Sequence, residues 1–209
     1  MEILDNLSIR AIEDYKKIGL PVDYEAVLLI EVDGIREAVE KEAQKVKDIC
    51  TRCGADKISV AESDAKRDEI WAARRAVIPA LIRMKPTGIL QDATVPRSAI
   101  PKMIHAVVDI SKKYNVQIGT FGHAGDGNLH PLILTDEKNP EEMDRVHKAI
   151  SDIFDMALSL GGTLSGEHGI GIAKKQYLSR QFSTAELEMM KRLKKAFDPD
   201  NIINPGKVI

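Results

Sequence analysis

Aromatic residues are scarce, at 4% of 209, and there are only two cysteines. Cys50 and Cys53 are spaced C-x-x-C with no second pair, which excludes a zinc ribbon. They end an amphipathic run through Ile35, Val39, Val46 and Ile49, where cysteine is expected as an ordinary small hydrophobe. Charge of one sign is also missing. The net charge is -2 with the signs interspersed, so no basic stripe for nucleic acid is expected. No apolar run is long enough to cross a bilayer. The start, M-E-I-L-D-N-L-S, lacks the basic-then-apolar pattern of a secretory signal, and a cytoplasmic location is the expectation.

Hydrophobic residues make up 44%, enough for a packed core in one large domain. Residues 1–24 are mixed and polar, punctuated by Gly19, Pro21 and Asp23, and read as a connecting arm to a domain over 25–209. Strands are expected at Ala26–Asp33, Lys57–Ala61, Gly88–Val95, from Gln117 to Phe121, at Leu129–Leu134 and, briefly, at Thr163–Ser165. Helical patterns lie between them. Ser63 caps one, Asn139 with Pro140 starts another, and Ser183 to Glu186 is a capping box for the last. Pro79 interrupts the helix that carries Trp71 and Arg74. The strands are short and half polar, unlike those of a parallel sheet. The expected class is α+β: an antiparallel sheet with helices packed on one face, ferredoxin-like.

Two glycine-rich loops concentrate the chemistry. Phe121 to Pro131 reads F-G-H-A-G-D-G-N-L-H-P, and Ser165 to Gly171 reads S-G-E-H-G-I-G. An Asp126-Gly127 turn between two strands brings His123 and His130 together, and Glu167 adds a carboxylate from a separate segment. Two histidines and a carboxylate suit a divalent metal with open positions. The same histidines could be hydrogen-bonded polar residues without a ligand. A phosphate cradle lacks the required glycine spacing. Glu167 and His168 reach one site only if Gly166 and Gly169 let the loop twist. An imidazole beside a metal suits a general base. Arg74 offers a fork for a carboxylate, although on the residues alone Arg74 and Arg75 read first as solvated helix residues.

Those two loops and the closing F-D-P-D-N-I-I-N-P-G-K resemble the C-terminal domain of FAD-linked oxidases. That family includes glycolate oxidase flavin subunits, D-lactate dehydrogenases and D-2-hydroxyglutarate dehydrogenases. E-A-V-L-L-I-E-V-D-G, I-W-A-A-R-R and Q-D-A-T-V-P resemble it in the same order. The resemblance implies His123, His130 and Glu167 as metal ligands, His168 as catalytic base, Arg74 and Asn128 as substrate contacts, and Asn204 near the flavin. It implies oxidation of a 2-hydroxy acid, glycolate or D-lactate, with hydride passing to FAD and a divalent metal such as zinc, manganese or iron. Leu90 stands where D-2-hydroxyglutarate enzymes carry a lysine, which favours a monocarboxylate.

Residues 1–25 are too few for a flavin-binding domain, so that domain is expected on a preceding segment of a longer chain or on a separate subunit, and the chain by itself is expected to be inactive. Homodimerisation through a bared surface is a further expectation. Rival readings are a non-catalytic metal-binding or oligomerisation module, and an ether-lipid synthase or phenol oxidase on the same scaffold.

Overall fold

The computed structural model describes residues 1–209. Six strands form one antiparallel sheet. They are β1 (Glu2–Asp5), β2 (Ala26–Leu29), β3 (Thr87–Leu90), β4 (Ala93–Thr94), β5 (Gln117–His123) and β6 (Asn128–Thr135). The order is β2-β1-β5-β6-β3, with β4 also pairing β6. The antiparallel α+β class read from the sequence is the class observed.

Period-two alternation sends the strand side chains to opposite faces. Ile3, Ile118, Leu129 and Ile133 pack against α5 (Ile100–Tyr114) and α6 (Pro140–Ser159). Leu4, Phe121, Leu132 and Leu134 pack against α1 (Asn6–Lys16) and α4 (Val77–Ile82). Helices therefore cover both faces, where one was expected. The reason is that β5 and β6 are apolar on both sides, and each apolar face needs cover.

The expected connecting arm is instead part of the sheet. β1 lies between β2 and β5, with Ile3, Leu4, Ile9 and Ile12 buried. Two apolar residues, Ile3 and Leu4, flanked by the acids Glu2 and Asp5, give too short a pattern to read as a strand. Asp5 explains the polarity: it caps α1 by accepting from Ser8 N at 2.8 Å, and it accepts from Thr120 N at 2.7 Å.

Lys57–Ala61 forms no strand, and β2 stops at Leu29. β2 is an edge strand, and β propensity is realised only beside a partner. Thr163–Ser165 makes a single bridge, Thr163 to Thr94. The cap readings match the helix starts. Ser63 caps α3 (Asp64–Arg75), Asn139 caps α6, and, after the short α7 (Leu178–Gln181), Ser183 with Glu186 forms the capping box of α8 (Thr184–Phe197). The expected break near Pro79 falls at Ala76, between α3 and α4. α2 (Arg36–Arg52) has no buried residue, and Cys50 and Cys53 at its end are free.

Candidate functional site

Strand register assembles the site. β3 and β4 keep one register on β6, from Thr87 opposite Thr135 to Thr94 opposite Asn128, which sets Asp92 across from His130. Two neighbouring rows then cross one face of the sheet. One runs Leu4, Phe121, His130, Asp92, and the next runs Glu2, His123, Asn128, Thr94. The turn between His123 and Asn128 closes with Gly127 N–H donating to His123 O at 2.9 Å. Gly127 has a φ of 86°, and a Cβ there would lie 2.0 Å from Val95 O, so only glycine fits this turn.

The S-G-E-H-G loop is laid onto these rows by a residue the sequence reading did not single out. Asp92 is fully buried. Its carboxylate accepts from Ser165 Oγ and from the backbone N–H groups of Gly166 (3.0 Å), Glu167 (3.3 Å) and His168 (3.0 Å). Buried Lys174 donates to Asp92 O at 2.7 Å, Asp92 Oδ2 at 3.3 Å and Leu164 O at 2.8 Å. Burial alone would push the Asp92 carboxyl up. The Ser165 hydroxyl, the loop N–H groups and the Lys174 ammonium outweigh it and hold the carboxyl well below the usual range. Burial pushes the Lys174 ammonium down, and Asp92 restores only part of that shift. Gly166 is required by contact: a Cβ would lie 2.2 Å from Thr94 Oγ1 and 2.6 Å from Asn128 Cγ.

Three imidazoles and one carboxylate converge where these segments meet. From Glu167 Oε1, the Nε2 atoms of His130, His123 and His168 lie at 3.1, 3.7 and 3.8 Å. His130 is edge-on to His123 and stacked on His168, with ring centroids 5.2 Å apart in both cases. The expected trio His123, His130 and Glu167 is therefore brought together, with His168 beside it. Metal–nitrogen bonds of about 2.0–2.1 Å in a tetrahedral shell place donors roughly 3.4 Å apart, so these separations fit one cation. His130 is almost fully buried and its Nδ1 has no hydrogen-bond partner. The fit to a cation rests on the other ring nitrogen, Nε2, which faces Glu167, and the orphaned Nδ1 adds nothing to it. Burial, reinforced by the neighbouring histidines, pushes the His130 imidazole down despite Glu167, which favours the neutral, ligand-competent form. Glu167 and His168 are exposed, so the cluster opens to solvent on their side.

Arg74 is not solvated. Its Nε donates to Glu2 Oε2 at 2.7 Å, and its guanidinium lies 5.0 Å from the centre of the Phe121 ring. The other oxygen of Glu2 lies 2.8 Å from His123 Nδ1, so one buried carboxylate joins the arginine to the cluster. Asn128 is buried, and its side chain accepts from Thr94 Oγ1 at 3.1 Å. Asn204 lies on the exposed C-terminal tail with a φ of 48°, and its side chain accepts from Lys207 Nζ at 3.2 Å. That tail meets the second loop where Val208 N–H donates to Gly171 O at 2.8 Å. Glu2, Asp92 and Lys174 were missed. The one available signal was Asp92 as the single charged residue of the expected strand Gly88–Val95, a place where a carboxylate needs partners.

Residues 1–208 match the family model for the C-terminal domain of FAD linked oxidases. The chain is 50% identical over 208 residues to glycolate oxidase subunit GlcD of Bacillus subtilis, covering all of this chain and 44% of that protein. It is 41% identical over 209 residues to glycolate oxidase subunit GlcD of Escherichia coli K12, covering all of this chain and 42% of that one. It is 31% identical over 211 residues to a probable mitochondrial D-lactate dehydrogenase of Danio rerio, again covering all of this chain and 42% of the relative. The chain thus spans less than half the length of these curated relatives. A solved 4-ethylphenol oxidase from Gulosibacter chungangensis shares the fold, with a TM-score of 0.62 at 15% identity over 99% of this chain and 46% of that one. The chain belongs to the FAD-linked oxidase C-terminal domain family.

Proposed function

We propose that this chain forms the metal- and substrate-binding part of an FAD-dependent 2-hydroxy acid dehydrogenase that oxidises glycolate or D-lactate to the 2-oxo acid. The observation that carries this reading is the convergence of three imidazole Nε2 atoms on one oxygen of Glu167. His123, His130 and Glu167 would hold a divalent ion of the zinc, manganese or iron kind, which supplies Lewis-acid polarisation of the substrate oxygens. FAD, held by a domain or subunit outside the cluster, supplies the hydride acceptor.

The remaining work falls to this chain's own side chains. Arg74 uses its guanidinium fork to hold the substrate carboxylate, and Asn128 offers its amide beside the cluster. His168, stacked on His130 and exposed toward the open side, takes the hydroxyl proton as the C–H electron pair departs with the hydride. Leu90, packed against the core of α1, α4 and the sheet, offers no charge for a second carboxylate, which supports a monocarboxylate substrate. Relatives named glycolate oxidase and D-lactate dehydrogenase support the same substrates.

The flavin-binding partner needs a surface to dock on. Met189, Leu193 and Phe197 of α8, with Ile202 and Ile203 beyond it, are exposed apolar residues suited to that role. The same residues could serve a homodimer, and sedimentation of the chain alone separates the two.

Elemental analysis and calorimetric titration with zinc or manganese test the proposal. The wild-type chain is expected to hold about one ion, and His130→Ala and Glu167→Gln are expected to lose it. Equal binding by all three would remove the metal site. In the longer flavoprotein, His168→Ala is expected to keep flavin and metal but lose turnover, and a non-catalytic module would show no such loss.

A further inference from the structure

Glu2 is the first residue of β1, directly opposite His123 of β5, and the two are 121 positions apart in the chain. Its carboxylate is buried and both oxygens are engaged. Oε1 lies 2.8 Å from His123 Nδ1, and Oε2 lies 2.7 Å from Arg74 Nε. An ionised carboxylate only accepts hydrogen bonds, so the His123 Nδ1 facing it must carry the proton. The lone pair of that ring is then on Nε2, the atom turned toward Glu167 at 3.7 Å. On the other side, Glu2 occupies Nε of Arg74 and leaves the two terminal nitrogens of the fork for a second carboxylate. Phe121, next but one before His123 in β5, supports the same guanidinium with its ring.

From this geometry we infer that Glu2 is a positioning residue: it fixes the His123 tautomer for metal ligation and sets the substrate-binding Arg74 at a constant offset from the metal. A carboxylate behind a ligating histidine is a recurrent means of orienting the ring and raising its basicity, and its loss commonly weakens metal binding about 10–100-fold. Here the same carboxylate also neutralises Arg74 before substrate arrives, so the guanidinium is not left buried and unpaired. The inference rests on the metal-site reading above.

Glu2→Gln is the discriminating variant because it preserves shape and inverts one donor. Arg74 can only donate, so the amide oxygen must face it. The amide NH2 must then face His123 Nδ1, which is forced to accept. The proton moves to Nε2, and the lone pair aimed at the cluster is lost. Nitrogen-15 NMR of the histidine rings in the 209-residue chain reads this directly without metal. His123 is expected as the Nδ1–H tautomer in wild type and as Nε2–H in Glu2→Gln. Titration with zinc is expected to show affinity reduced about 10–100-fold. Glu2→Asp, which keeps an acceptor-only group, is expected to retain Nδ1–H and to bind zinc more tightly than Glu2→Gln.

An unchanged tautomer with unchanged zinc affinity in folded Glu2→Gln overturns the inference while leaving the metal site standing. If Glu167→Gln binds zinc as wild type does, the metal reading itself has failed, and the tautomer measurement still reports on Glu2. Should Glu2→Gln unfold, Glu2→Asp decides: loss of Nδ1–H in a folded Glu2→Asp chain, or unfolding of both variants, reduces Glu2 to a structural salt bridge and overturns the proposal.

Discussion

The two halves of the candidate centre are held by different means. His123 and His130 stand on adjacent strands of a continuous ladder, with Phe121 opposite His130 and buried apolar residues on both faces. Glu167 and His168 stand on an irregular loop whose backbone N–H groups converge on one buried carboxylate, Asp92. The ladder spreads its stability over many hydrogen bonds and side chains. The loop concentrates it in one ion and its counter-ion, Lys174. The hairpin should therefore tolerate single changes that the loop does not.

The sharpest way to break that contrast is Asp92→Ala, which leaves Lys174 and several loop donors buried without their acceptor. The expected cost is about 3–5 kcal/mol in urea unfolding, with loss of metal retention. Metal affinity equal to wild type would show that something other than Asp92 holds the loop. Acid adds a signature. The folded carboxyl is depressed below its unfolded value, so its stabilisation is complete above the unfolded pKa and is lost as pH falls through the folded one. The stability gap between wild type and Asp92→Asn is thus expected to be flat from about pH 8 to 5 and to shrink below about pH 4. A gap that grows with acid would contradict the assignment.

Paired alanine substitutions at two glycines come next in size. Gly166→Ala drives a Cβ into Thr94 and Asn128 and is expected to cost about 1–3 kcal/mol and to displace Glu167, lowering zinc affinity. Gly125→Ala, in the hairpin turn, meets only Met1 N at 3.9 Å and is expected to change neither melting temperature nor zinc affinity measurably. Similar effects at both positions would erase the distinction between loop and hairpin. A smaller cost than at Gly166 is expected at Ser183→Ala, which removes the capping box of α8 for about 0.5–2 kcal/mol and leaves the metal titration unchanged.

Much of this centre was legible in the residue order. His123 and His130 flank an Asp-Gly turn, and Glu167 and His168 sit between glycines, so local chemistry brought out the candidate cluster, while the roles proposed for its members came from the family resemblance. Arg74 was legible only as a possibility. Its burial against Glu2 and Phe121 depends on a strand at the far end of the sequence, which the polar character of residues 1–24 disguised. Lys57–Ala61 shows the reverse error, a strand-like composition without a neighbour to pair with.

The amino-acid order by itself determined the local signals: helix caps at Ser63, Asn139 and Ser183, the hairpin turn at Gly127, and the donor types in the two glycine loops. Each depends on atoms within a few residues of one another. Only the tertiary structure decided that β1 runs through the sheet, that Glu2 backs His123 and Arg74, and that Asp92 anchors the second loop. Those placements are set by strand register and by contacts dozens of residues apart, where one residue's slip would turn every one of these side chains to the opposite face.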